Sequence, residues 1–227
     1  FLATGTGIKY IGQAGTGSLN INGTAVVNFG NQLMYVGYQT GTGIFTMAGG
    51  TFTNTGEVRV GGSNTNGAFP GGSGTMNFTG GVSNMGALVL ARGNDIAGTM
   101  NGTVNIGGTA VVTSEGDVVM GGNGTGCLGK IVVSAGTLNV ATTTKRWMIL
   151  NRGGTANGQL DVNGGTVNLN ANTDLRFSTA AASLGTNVVN LNSGSITSYN
   201  ANQTGDGSGV VDLQQSTGTT SNNTFNR

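Results

Sequence analysis

A glycine followed by a threonine, serine or valine returns along this chain at nearly constant spacing, and that period constrains the fold more than any other feature. The pairs Gly23-Thr24, Gly50-Thr51, Gly81-Val82, Gly108-Thr109, Gly136-Thr137, Gly165-Thr166 and Gly194-Ser195 are separated by 27, 31, 27, 28, 29 and 29 residues. A fixed period of this size marks a stacked array, in which each repeat buries its apolar face only against its neighbours.

Ahead of each pair lies a short alternating segment with apolar positions Leu19/Ile21, Phe45/Met47, Met76/Phe78, Val104/Ile106, Ile131/Val133, Leu160/Val162 and Val189/Leu191. Alternation with period two is the pattern of a strand buried on one face. It resumes after the pair, as in Leu138/Val140 and Val167/Leu169. A third segment follows, with Met34/Val36, Val58/Val60, Leu88/Leu90, Val118/Met120, Met148/Leu150 and Leu175/Phe177. Each repeat therefore carries three short strands. They are too short for a membrane barrel, whose strands need about nine to eleven residues. The resemblance runs between segments one repeat apart, which suits parallel stacking rather than hairpins.

The expected fold is all-β: a right-handed parallel β-helix of about seven to eight coils, each of about 28 residues and three short strands. At about 4.8 Å per coil, it forms a rod of roughly 35 to 40 Å. The solenoid domain is placed at 1–199, with a loop insertion at 61–74 where the spacing is longest and Pro70 sits. Residues 200–227 form a last partial coil and a polar tail, mobile or partner-dependent.

Composition agrees. Glycine accounts for 45 of 227 residues, and 28 asparagines and 33 threonines bring the three types close to half of the chain. Glycine and asparagine tolerate the positive φ of tight corners, and threonine suits the flat faces between them. Only 7% of residues are charged, so charge-driven disorder is excluded, and a single proline excludes collagen. A net charge of +1 gives no general attraction to nucleic acid or an anionic membrane, and no apolar run is long enough for a membrane helix. The start at Phe1, with no methionine or leader, is read as a mature form or a fragment. Cys127, alone and without any histidine, makes neither an internal disulfide nor a multi-cysteine metal site and is read as a free thiol.

Units such as Gly43-Ile44-Phe45-Thr46-Met47-Ala48-Gly49-Gly50-Thr51-Phe52-Thr53 and Gly158-Gln159-Leu160-Asp161-Val162-Asn163-Gly164-Gly165-Thr166-Val167-Asn168-Leu169 resemble the autotransporter-associated β-strand repeats of bacterial surface proteins. The resemblance spans about 8–199. It implies a secreted, right-handed, passenger-type solenoid with no catalytic residue, used for adhesion, surface display or fibre formation.

The supply of chemistry is thin. Eight carboxylates are spread along the chain, and only Glu115 and Asp117 lie close in sequence, as a solvated corner does. Asp174 and Arg176 read as an exposed ion pair. Gly205-Asp206-Gly207-Ser208-Gly209 is one isolated fragment of a calcium-type repeat, not a tandem array, so no cofactor or metal is expected. A column Thr24, Thr51, Thr109, Thr137 and Thr166, interrupted by Val82, raises ice binding as a minor alternative.

Two contact surfaces are expected. One is a lateral partner face on the outward positions of the third strand, comprising Tyr35, Arg59, Val89, Val119, Trp147, Ile149 and Arg176. A one-residue slip would instead put Val118, Met148 and Leu150 outside. The other is the pair of rod ends, with Ile8, Tyr10 and Ile11 at one and Val211, Leu213 and Phe225 at the other. Open edges at both ends predict head-to-tail self-association into a homopolymer. The functional expectation is a non-enzymatic, extracellular fibre subunit at a bacterial cell surface. The alternative is an adhesin stalk presenting a face to cell-surface glycans or proteins, with a polysaccharide-active enzyme third.

Overall fold

The computed structural model describes residues 5–63, 71–93, 100–122, 125–171, 173–178, 185–198, 211–212 and 222–226. Among them there is no helix. The chain opens with β1 (Lys9–Ile11), β2 (Thr16–Ile21), β3 (Val26–Asn28) and β4 (Met34–Tyr38), followed by β5 (Thr42–Asn54) and β6 (Val58–Gly62). The middle coils hold β7 (Ser73–Met85), β8 (Leu88–Arg92), β9 (Asn101–Ile106), β10 (Val111–Ser114) and β11 (Val118–Gly121). Then come β12 (Leu128–Val133), β13 (Thr137–Val140), β14 (Trp147–Asn151), β15 (Asn157–Leu169) and β16 (Asp174–Ser178). The last strands are β17 (Thr186–Ser198), β18 (Val211–Asp212) and β19 (Asn222–Asn226).

These strands stack as a parallel β-solenoid. The third arm of every coil joins one eight-stranded sheet in the order β1-β4-β6-β8-β11-β14-β16-β18, and the first two arms share an eleven-stranded sheet. The apolar pairs fall into register one coil apart. Phe45 lies beside Met76, Met76 beside Val104, Ile131 beside Leu160, and Leu160 beside Val189. In the third arm the ladder runs Met34, Val58, Leu88, Val118, Met148 and Leu175. These ladders meet in one continuous core, so the face assignment of the third strand stands and the one-residue slip does not occur.

The glycines of the periodic pairs are corners. Six of the seven have φ between 55° and 89°, whereas at Gly165 the bend is carried by its neighbour Gly164, at φ 143°. A Cβ on Gly50 would stand 2.2 Å from the Ala25 carbonyl oxygen, so both the conformation and the close stacking require glycine there.

The three-strand count per coil needs a correction. In β5, β7, β15 and β17 the first two arms run on as one 13-residue strand through the corner, with ladder shifts at the bend between Met47 and Thr51 and between Val162 and Thr166. Where a hydrogen-bonded turn intervenes, the arms are separate. Ala25 N donates to Asn22 O at 3.2 Å and Ala110 N to Gly107 O at 3.2 Å.

Those two turns also correct the threonine column. From the last inward residue of arm one to the first of arm two is six positions across the Gly23 and Gly108 corners (Ile21 to Val27, Ile106 to Val112) but five elsewhere, as from Met47 to Phe52. The stacked column is therefore Val26, Thr51, Val82, Val111, Thr137, Thr166 and Ser195. Valine replaces Thr24 and Thr109 in it, so the hydroxyl row is broken in the first four coils and continuous only over Thr137, Thr166 and Ser195.

The carboxyl-terminal residues differ from expectation as well. β18 pairs on β16 as the expected last partial coil does, but within the expected polar tail β19 pairs in parallel on β17, continuing the coils. The insertion at 61–74 begins at the end of β6 and ends where β7 starts; its residues 64–70, with Pro70, fall outside the described residues, as do Leu213 and the 205–209 fragment.

Candidate functional site

Alternate positions of a strand point to opposite faces of its sheet. On the third-arm sheet, the positions facing away from the core align as one column: Tyr10, Tyr35, Arg59, Val89, Val119, Ile149, Arg176 and Asp212. This column brings together every residue assigned to the lateral face except Trp147, which sits one step along, opposite Asp174. The structure changes the character of this face. Tyr35, Val89, Val119 and Ile149 are buried within the single chain, the last three as an apolar cluster separate from the main core. Trp147 remains 40% exposed.

Two polar groups bound this cluster. At one end, Glu57 Oε1 receives Arg59 Nε at 2.5 Å and Arg92 Nη1 at 2.7 Å, and Arg59 Nη1 donates to the Tyr35 hydroxyl. Burial works to raise the Glu57 pKa, but the hydrogen bond and charge of Arg59, and then those of Arg92, outweigh it and hold the carboxyl below its ordinary value. Tyr35 is moved the other way, because its burial outweighs the lowering effect of Arg59. The Tyr35 ring also stacks with Tyr10 at 5.6 Å and touches Tyr38 at 4.4 Å between centroids.

At the other end, Arg176 Nη2 donates to Asp174 Oδ2 at 2.9 Å and lays its guanidinium over the Trp147 ring, 4.6 Å from the centroid. Lys145 Nζ lies 3.6 Å from the same Asp174 oxygen, and Trp147 N donates to Asp117 Oδ1 at 3.1 Å. Asp174 is only 2% exposed, so this is a buried carboxylate held by two cations and not the exposed pair expected. Glu115 accepts two bonds from Thr142, and Asp117 faces Arg152 at 3.6 Å.

The rod ends form the second surface. Ile8, Tyr10 and Val26 are exposed at one end and Phe225 at the other, whereas Ile11 is buried. Leu19 near the first end and Leu191 and Ile196 near the last are only partly buried, although their ladder mates are fully enclosed. Val211 pairs with Leu175.

Among the described residues no group of three or more cysteine, aspartate or glutamate side chains is placed to hold a metal ion. Cys127 is buried in a corner with Ala91, Met100 and Ala156, and burial raises its thiol pKa against a backbone hydrogen bond from Met100. Sequence reasoning placed Tyr10 and Tyr35 on separate surfaces and missed Tyr38, Lys145 and Arg152, because such lone side chains carry no repeating pattern. The register alone unites them. Comparison with protein-family models, with curated proteins and with solved structures finds no match to this chain.

Proposed function

We propose that this chain is a non-enzymatic structural protein, a subunit of an extracellular bacterial surface fibre that grows by stacking solenoid on solenoid, head to tail. The observation that carries this reading is the state of the rod ends. Among the described residues, β1 and β2 at one end and β18 and β19 at the other pair along one edge only, in the same parallel geometry, and apolar ladder residues beside them are incompletely buried. Such edges template the addition of further strands, and a contact between unlike ends propagates as a filament. The resemblance to autotransporter-associated repeats supports an exported, surface-displayed scaffold. Five of the eight carboxylates, those whose side chains are described, are engaged too: Glu57, Asp117, Asp161 and Asp174 each face a cation, and Glu115 binds Thr142, which suits a scaffold better than acid-base chemistry.

Imaging of the purified native protein by negative-stain microscopy, with size-exclusion chromatography across a concentration series, tests the proposal. Lengthwise polymers are expected, and a stable monomer at high concentration overturns it. A second reading, an adhesin stalk, is favoured by one observation: the exposed Trp147 braced by Arg176 beside Lys145, the aromatic and charged surface on which such a stalk would hold a glycan or protein.

A further inference from the structure

Resting on the stacking reading, the register of the coils specifies how two copies meet. In the first arm every pairing from β2 through β5, β7, β9, β12, β15 and β17 to β19 keeps one alignment. Leu19 thus heads an inward column that ends at Phe225, and Asn20 heads an outward column that ends at Asn226. Phe225 is 38% exposed and Leu19 is partly buried, whereas Phe45, Met76, Val104, Ile131, Leu160 and Val189 between them are fully enclosed.

The outward column ends in an amide ladder. Asn190 Nδ2 donates to Asp161 Oδ1 at 2.7 Å, and Asn226 Nδ2 donates to Asn190 Oδ1 at 2.7 Å. Donation runs in one direction, so the next acceptor is the carbonyl oxygen of Asn226. Asn20, exposed at the opposite end, carries an amide donor of the matching kind at the matching position.

Charge gives the contact its polarity. Lys9 is the only charged residue before Glu57, and Asp206 and Asp212 are the only ones between Arg176 and Arg227. By sequence the first end thus carries Lys9 alone and the last carries Asp206 and Asp212 against Arg227, a net charge of −1, with Lys9 on the outermost strand β1 and Asp212 on the outermost strand β18. Unlike ends attract and like ends repel, which selects head-to-tail over head-to-head contact.

We propose that β2 of one copy adds in parallel to β19 of the next, with Leu19 over Phe225 and Asn20 over Asn226. In the same step β1 adds beyond β18, placing Tyr10 in the column of Asp212.

Engineered cysteines test the register. Neighbouring parallel strands lie about 4.8 Å apart, within the ~4.4 to 6.8 Å separation that a disulfide spans. The full chain carrying Asn20→Cys and Asn226→Cys is expected to give a reducible ladder of covalent oligomers under mild oxidation. The Ser18→Cys/Asn226→Cys chain, two positions out of register, gives none. Should the double variant fail to fold by circular dichroism, a mixture of the two single variants provides the same readout, with cross-linked dimer expected only from the mixture. Filaments of wild-type protein without in-register cross-links, or equal cross-linking out of register, would overturn the proposed register and leave stacking intact. Cross-linking of Asn20→Cys with itself would mean head-to-head contact and overturn both. A wild-type protein that remains monomeric overturns both.

Discussion

Gly129 packs so closely on the preceding coil that a Cβ placed on it would stand 1.4 Å from the carbonyl oxygen of Met120. It belongs to a column of glycines in register, Gly17, Gly43, Gly74, Gly102, Gly129 and Gly158, each set against the backbone at the end of a third arm. Backbone cannot swing aside as a side chain can. Gly129→Ala is expected to destabilise by about 3 kcal/mol, whereas Gly15→Ala, with nothing within 4 Å and no positive φ, should leave stability within about 0.5 kcal/mol. Thermal melting of the two variants checks the contrast.

Asn54 is fully buried in line with Met85, and neither its amide nitrogen nor its oxygen has a hydrogen-bond partner among the described residues. A buried amide without partners costs about 1 to 3 kcal/mol. Asn54→Leu should therefore raise the denaturation midpoint with no change in its slope. A lowered midpoint would mean that an internal water satisfies the amide.

Acid should weaken the fold through two carboxylates. Burial of Asp161 works to raise its pKa, but hydrogen bonds from Lys130, Gln159 and Asn190, with the charge of Lys130 2.7 Å away, bring it below its ordinary value of 3.8. Glu57 is likewise depressed from 4.5. Groups depressed in the folded state contribute fully above the unfolded pKa and lose that contribution as the pH falls through the folded one. The melting temperature should thus fall below about pH 4.5, and less steeply in Lys130→Met. For Tyr35 and Cys127, raised by burial, the sign reverses, and stability present below pH 9.0 declines as the pH rises through their native values.

Trp147, the only tryptophan, reports on lateral contact. Being 40% exposed, it should be quenched readily by acrylamide in the dispersed protein, and protected in bundles if the lateral face is used. Arg176→Lys keeps a cation near Asp174 but removes the planar group from the indole, an expected loss of about 0.5 to 1 kcal/mol. Arg176→Ala should cost more, because Asp174 then keeps only the more distant Lys145 of the two. Chemical denaturation followed at the tryptophan band distinguishes them.

Local pattern in the sequence determined the coil period, the inward ladders such as Phe45, Met76 and Val104, and the corner glycines. Alternation and the positive φ of glycine are properties of a few neighbouring residues. Tertiary structure decided the rest. A corner bends through a continuous strand at Gly50 but through a turn at Gly23, where the glycine comes one residue sooner after the first arm and the second arm starts one residue later, so that Val26 and not Thr24 stacks on Thr51. The burial of Val89, Val119 and Ile149 outside the core, and the pairing of β19 on β17, depend on chain that is distant in sequence. Period two tells which residues share a face of a strand; only the stacked coils determine what covers that face and which residue of the next coil it meets.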